Sequence, residues 1–227
     1  MIAYGTQGNK IVAFDIETGA QPEDDVLRVR GSFKAENVKI GNRGVESGLK
    51  KIKEEQENYL TKLMGKAALE ADIGKILTIG IKSEKEEIIL EGDESEMLSI
   101  FWEKAFEDYI EGNTIWVGHN IYDFDLPFIL RRSMIKRVKI PAPLIPFSRY
   151  WDSKFWKDTL TLWSAGKFNQ WIGLDQLCRA MGLEGKNGTG KGFQDLYETN
   201  RKEAIAYARQ DIVIQYQLSK ELFGLFT

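Results

Sequence analysis

Four carboxylates from three widely separated segments, Asp15 with Glu17, Asp125, and Asp211, are the side chains of this sequence best suited to chemistry. Asp15 stands at the end of the run KIVAFDI, whose β-branched and aromatic content predicts a strand, and Glu17 directly follows it. Side chains alternate along a strand, so both carboxylates share one face, about 7 Å apart. Such a pair alone is as consistent with a solvated strand end as with a site. Asp123 and Asp125 follow the short apolar TIWV segment and enter an apolar helical pattern. A carboxylate there is stabilised by the free N–H groups of the first turn, so capping is an adequate account of either one. Tyr207 and Asp211 stand four residues apart in the last helical pattern. That spacing puts phenol and carboxylate on one face, about 6 Å apart along the axis. Ala206, Ala208 and Ile212 imply a partly buried setting, where a carboxylate is costly unless paired or metal-bound.

Like charges brought close raise one another's pKa values. Hard divalent cations of the Mg²⁺ or Mn²⁺ type relieve that conflict, because they prefer oxygen ligands. Two such ions about 4 Å apart can stabilise both the attacking water and the leaving oxygen in phosphodiester cleavage. The residue types point to metal-dependent hydrolysis.

The elements that must position these residues follow from periodicity. Residues 10–16, 75–83 and 86–91 read as strands, the last two joined as a hairpin, and 114–117 as a short buried strand. Residues 93–110 form an amphipathic helix with Asp93 and Glu96 spaced as a capping box. Further helices are predicted over about 126–133, 174–181 and 200–222, the last with Glu203 three residues after Asn200. Strands come early and alternate later with helices, which predicts a single mixed α/β domain over 1–227. Between the first two strands lies an insertion, residues 23–69. Its first half has no clear period, and 46–69 is a charged helical pattern. Its Lys/Glu mixture reads as a solvated helix face or as a rim gripping substrate.

Bulk properties set outer limits. The net charge of −3 carries no basic tail, which leaves nuclease chemistry open, since acids would gather at the metals and only a local basic rim is needed. No apolar run reaches membrane-spanning length, and the first residues lack a secretory pattern. With one cysteine, Cys178, no internal disulfide can form, and the expectation is a cytoplasmic protein without a membrane partner. The single histidine, His119, excludes sites needing two and reads as a structural hydrogen-bonder.

FDIET at 14–18, HNIYDFDLPFILRR at 119–132 and YARQD at 207–211 resemble, in order and spacing, the three exonuclease motifs of the DEDD superfamily. A tyrosine four before the last aspartate is similar to the DEDDy branch, as in family B polymerase proofreading domains; the DEDDh branch would put a histidine where Ala206 stands. Stand-alone relatives of the family B exonuclease domain are the nearest in pattern, with Asp158–Thr159 and GLDQLC at 173–178 as further likenesses. The resemblance implies an RNase H-like fold, a central mixed sheet flanked by helices. It implies that Asp15, Glu17, Asp125 and Asp211 hold two ions, Mg²⁺ or Mn²⁺, while Tyr207 orients the attacking water. Asp125 is preferred to Asp123 because Phe124–Asp125 matches the family's aromatic–aspartate pair. Thr18, Asn120 and Phe124 are expected at the terminal nucleotide. The implied activity is 3′→5′ removal of nucleoside 5′-monophosphates from single-stranded DNA, alone or beside a DNA polymerase acting in trans. RNA as substrate and a catalytically silent binding module remain alternatives.

Other signals are weaker. GKNGTGKG at 185–192 nearly matches a phosphate loop, but Gly192 replaces the required Ser or Thr and the segment follows a helix; a connector is expected. Trp151, Trp156, Trp163 and Trp171 lie among cations and could stack bases, with core packing the preferred expectation. Cys178 is expected in the core, and Asp158 as a cap or as a fifth acid near the metals.

Overall fold

The computed structural model describes residues 10–41, 44–145, 153–165, 167, 170–185 and 192–225. The expected mixed α/β architecture is present. Five strands form one sheet in the order β3-β2-β1-β4-β5: β1 (Lys10–Ala20), β2 (Gly74–Lys82), β3 (Glu87–Glu91), β4 (Thr114–Gly118) and β5 (Trp156–Asp158). β1 and β4 run parallel, with Lys10 opposite Thr114 and Ala13 opposite Val117. β4 and β5 are also parallel, with Gly118 opposite Asp158. β2 and β3 form the predicted antiparallel hairpin, its turn held where Ser83 Oγ accepts the amides of Lys85 and Glu86.

The helices are α1 (Glu23–Arg30), α2 (Val45–Ala67), α3 (Glu94–Glu111), α4 (Asp125–Lys136), α5 (Thr159–Ser164), α6 (Leu174–Ala180), α7 (Phe193–Thr199) and α8 (Arg201–Gly224). Both helix starts are capped: Asp93 accepts the Glu96 amide at 3.0 Å, the N-cap half of the expected box, and Asn200 accepts the Glu203 amide and donates its side-chain N–H to the Glu203 carboxylate. β5, α1, α5 and α7 were not anticipated, and β1 runs four residues past its expected end at Ile16.

The described chain divides into two compact units. The first takes the residues up to Glu17 together with those from Ile76 onward, and holds the sheet's aromatic core. There Phe14 sits 5.4, 5.8 and 5.5 Å from the rings of Phe101, Trp116 and Trp156. A buried ion pair ties α3, α4 and β2 together. Glu94 accepts Arg132 Nε at 2.8 Å and Nη2 at 2.7 Å, and its Oε1 also takes the Ile76 amide at 2.8 Å. With Lys136 Nζ 3.4 Å from Oε2 as well, that carboxylate is well supplied with donors, which is what makes burying it tolerable.

The second unit, Thr18–Lys75, contains the whole of the 23–69 insertion. Its core is Ala20, Val26, Ala67 and Ile73, with Leu63 and Met64 packed on it. Acids in the first turn of α1 and Arg28 and Arg30 in its last favour a helix there through the macrodipole, although only Val26 is buried. Arg30 pairs with Glu70 and Asp72, and the Tyr59 hydroxyl donates to Gly31 O at 2.8 Å. The charged pattern predicted as helical over 46–69 is helical as far as Ala67, within α2, and largely exposed.

Candidate active site

In β1 the buried residues Val12, Ala13, Phe14 and Ile16 leave Asp15 and Glu17 on one half-buried face. Parallel β4 ends at Gly118 beside them, and the chain turns through Asn120 and Tyr122 into α4. Asp125 is the first residue of that helix and is 3% exposed, whereas Asp123 is exposed to solvent. Asp125 Oδ1 accepts the backbone N–H of Ile16 at 3.1 Å, between the two β1 acids in sequence. Burial, then the neighbouring charges of Asp15 and Asp158, push the Asp125 carboxyl well above the ordinary carboxylate range, against the stabilising amide bonds. Asp15 and Asp125 are therefore near neighbours in a poorly solvated place.

Asp211 lies on α8 and is also 3% exposed. One turn on, Gln215 is fully buried and donates Nε2–H bonds to Phe14 O at 2.8 Å and Val117 O at 3.3 Å. This side chain locks α8 across the β1–β4 seam next to Asp15. Ser219, another turn on, donates to Gln215 O at 2.8 Å. Sequence reasoning missed Gln215, although the signal existed: Tyr207, Asp211, Gln215 and Ser219 form a polar stripe at four-residue spacing in an apolar helix. Gly118 completes the seam. A Cβ there would stand 2.0 Å from Ile121 Cγ2 and 3.0 Å from both Gln215 Nε2 and Phe14 O.

Tyr207 packs against a cluster of Leu77, Phe193, Ala204 and Ala208, with its ring 5.9 Å from that of Phe193. Asn120 adopts a left-handed conformation (φ 66°), and its side-chain Oδ1 is buried without a hydrogen-bond partner. Phe124 is half-buried, its ring 5.5 Å from that of Phe128. Thr18, at the start of the second unit, donates its hydroxyl to Ala68 O at 2.6 Å. The structure thus couples Asp15 with Asp125, sets Glu17 on the Asp15 face and anchors Asp211's helix to the same seam. Among the described residues no group of three or more His, Cys, Asp or Glu side chains is gathered as a ready metal centre.

His119 is a hydrogen-bonder, as expected. Its Nε2 donates to Ile172 O at 2.9 Å and its Nδ1 lies 2.9 Å from Thr159 Oγ1. Cys178 is in the core, its thiol pushed up to about 11 by burial and Asp175. Asp158 caps α5 and also reaches the β4–α4 connection. The core expectation for the tryptophans holds for Trp156, but Trp163 and Trp171 are 42% and 64% exposed. Each stands next to an anchored residue, Leu162 or Ile172, that packs on the cluster of Leu177, Cys178 and Leu218, so the core is filled without their rings. Trp151 and most of the 185–192 connector lie outside the described residues. No described helix is long and apolar enough to cross a membrane.

Comparison with known proteins gives this geometry a family. No curated protein matches the chain. Among solved structures, the family B DNA polymerase from the hyperthermophilic archaeon Pyrobaculum calidifontis is similar, with a TM-score of 0.55 and 14% identity. The likeness covers 94% of this chain and 24% of the polymerase, so this chain spans about a quarter of that protein and shares with it a fold. That fold is the RNase H-like arrangement expected from the motifs. A family model described as "predicted 3′-5′ exonuclease related to the exonuclease domain of PolB" matches residues 59–219, a stretch that holds Asp125, Tyr207 and Asp211 and begins after Asp15 and Glu17. With well over half its length matched, the chain belongs to this family of predicted 3′-5′ exonucleases related to the polymerase B exonuclease domain.

Proposed function

We propose that the protein removes nucleotides from the 3′ end of single-stranded DNA, using two divalent cations, Mg²⁺ or Mn²⁺, held by Asp15, Glu17, Asp125 and Asp211. The observation that carries this reading is the burial of Asp125 against Ile16 N–H beside Asp15. Two adjoining carboxylates, one of them nearly inaccessible, form an all-oxygen donor set whose repulsion a hard cation offsets. That donor set fits the group. Bound ions of this kind supply an acidified water and neutralise charge on the scissile phosphate.

The chain's own residues do the rest. Asp125 is fixed by the head of α4 and by the Ile16 amide, so its carboxylate has a defined direction. Asp211 is carried on a helix that Gln215 fastens to β1 and β4. Tyr207, one turn before Asp211, orients the attacking water; an ordinary phenol, with a pKa near about 10, is a poor base for it. Asn120 offers a buried acceptor, Oδ1, and Phe124 a half-buried ring to the terminal nucleotide.

The test uses 5′-labelled single-stranded DNA and matching RNA with Mg²⁺, Mn²⁺ or chelator, beside Asp211→Ala. A metal-dependent ladder shortening from the 3′ end and absent in the variant is the expected result. Faster shortening of RNA would move the substrate to ribonucleic acid. Binding of both strands without cleavage would overturn the catalytic reading in favour of a binding module.

A further inference from the structure

Asp158 ends β5, is 5% exposed, and belongs to none of the three acid-bearing motifs. Its carboxylate accepts four backbone amides from two segments. Oδ1 takes Leu160 N at 2.8 Å and Thr161 N at 3.4 Å, capping α5, and also Asn120 N at 2.9 Å. Oδ2 takes Tyr122 N at 3.0 Å. The Tyr122 hydroxyl makes a second tie to β5, donating to Trp156 O at 2.8 Å. Residues 119–124 are therefore nailed to the end of β5 at several points.

These contacts lie directly upstream of Asp125. Asn120 O accepts Phe124 N at 3.1 Å and Ile121 O accepts Leu126 N at 3.0 Å, so the connection winds straight into α4. The left-handed conformation of Asn120 is the least favourable step of that path, since a non-glycine residue there needs its surroundings to hold it. The Asp158 bond to its amide is such a hold. Capping a six-residue helix needs only Oδ1; the Oδ2 bond to Tyr122 serves the connection alone. Burial makes the Asp158 carboxyl costly to ionise, as expected of a group kept for its geometry.

We propose that Asp158 is a positioning residue for the candidate site: through Oδ2 and the Asn120 amide it sets the 119–124 connection and thereby the place of Asp125 and Asn120. The inference rests on the nuclease reading for its kinetic consequences, and on geometry alone for its structural ones. Asp158→Asn separates cap from connection. The amide oxygen replaces Oδ1 and keeps α5 capped, while the NH₂ group faces the Tyr122 N–H, donor against donor.

The experiment compares parent and Asp158→Asn by thermal melting, amide hydrogen exchange, Mn²⁺ titration of the purified protein, and steady-state cleavage of a 5′-labelled oligonucleotide. The expected result is a melting temperature near the parent's and faster exchange at Tyr122, whose amide loses its acceptor. Half-saturating Mn²⁺ rises and kcat falls, each by about 10–100-fold, the usual cost of losing a group that orients a metal ligand. Mn²⁺ binding and kcat equal to the parent's would overturn the proposal. If Asp158→Asn does not fold, Tyr122→Phe, which cuts the other tie to β5, is read on the same scales, and parent-like Mn²⁺ binding and kcat there overturn it equally. A parent that binds Mn²⁺ but cuts neither strand removes the nuclease reading alone; weakened Mn²⁺ binding in Asp158→Asn would still support positioning. A parent that binds no Mn²⁺ overturns both.

Discussion

Gln215 donates its side-chain N–H to the carbonyl oxygen of Phe14 at 2.8 Å, joining residues 201 apart in sequence and each adjacent to a candidate metal-holding acid, Asp15 directly and Asp211 by one helical turn. The same amide reaches Val117 O at 3.3 Å, so one side chain registers α8 against two strands.

Replacing Gln215 tests that register. Gln215→Leu removes both bonds and leaves buried carbonyl oxygens short of a donor, at a cost of about 1–3 kcal/mol, partly offset because Gln215 Oε1 is itself without a partner. Gln215→Glu sets a carboxylate against those carbonyls and is the more destabilising of the two. Urea unfolding of both variants measures the order; a glutamate variant as stable as the leucine variant would contradict it.

The Glu94–Arg132 pair gives a second expectation. Arg132 is 2% exposed, and removing it strands a buried carboxylate that, among the described residues, the Ile76 amide and the more distant Lys136 would still serve. Arg132→Ala should destabilise the fold by about 3–5 kcal/mol. Arg132→Met with Glu94→Gln should recover a large part of that loss, measured by the same unfolding curves.

Asp125 carries a pH prediction. Its folded pKa is raised, so the folded state binds its proton more tightly than the unfolded chain does, and ionising Asp125 weakens the metal-free fold. Below the unfolded value, near about 3.9, parent and Asp125→Asn should be equally stable. As pH rises from there through the raised folded value, the variant becomes progressively the more stable, by about 1.4 kcal/mol for each pH unit that separates the two values. Mg²⁺ should stabilise the parent more than the variant at neutral pH. Chelated samples melted between acid and neutral pH decide the matter, and a variant less stable than the parent at neutral pH would refute it.

Trp171 supplies a substrate prediction. It is 64% exposed, and its neighbour Ile172 accepts a bond from His119, directly before Asn120, so the backbone at Trp171 is tied to the segment that carries Asn120. Trp171→Ala should raise KM for single-stranded oligonucleotides by about 5–100-fold, the worth of one stacked base, while melting temperature and kcat stay near the parent's. An unchanged KM would assign the exposed ring another role.

What could be read in advance differs between elements for physical reasons. α3 and α8 announce themselves through long apolar periods and through Asp93–Glu96 and Asn200–Glu203, and both form as read. β5 is only three residues long, too short for any period, and exists because its neighbour β4 needs partners: Trp116 N bonds Phe155 O at 2.8 Å. α1 buries only Val26 and is held by its charges, which sequence patterns register poorly. At the site, residue types were legible because carboxylates are rare in apolar surroundings. The preference for Asp125 over Asp123 comes from the resemblance of Phe124–Asp125 to the family's aromatic–aspartate pair; in the structure Asp125 is buried and Asp123 exposed. The four-residue stripe marks Gln215 as a polar residue in an apolar helix, but its partner Phe14, like the partner Asn120 of Asp158, could not be read, since a hydrogen bond between distant segments does not name its acceptor or donor in either one.

Gly118 has a bearing on how such a chain can change over time. Ile121, Gln215 and Phe14 already fill the space where its first side-chain carbon would go. A lineage cannot pass through that position by one substitution, because Ile121 and Gln215 would have to yield in the same step. In a mutational library sorted for soluble expression alone, glycine should persist at 118 as firmly as in one sorted for activity, whereas 125 should accept asparagine in the first and not in the second. Comparing the two sorted pools would separate the positions that build this molecule from those that make it work.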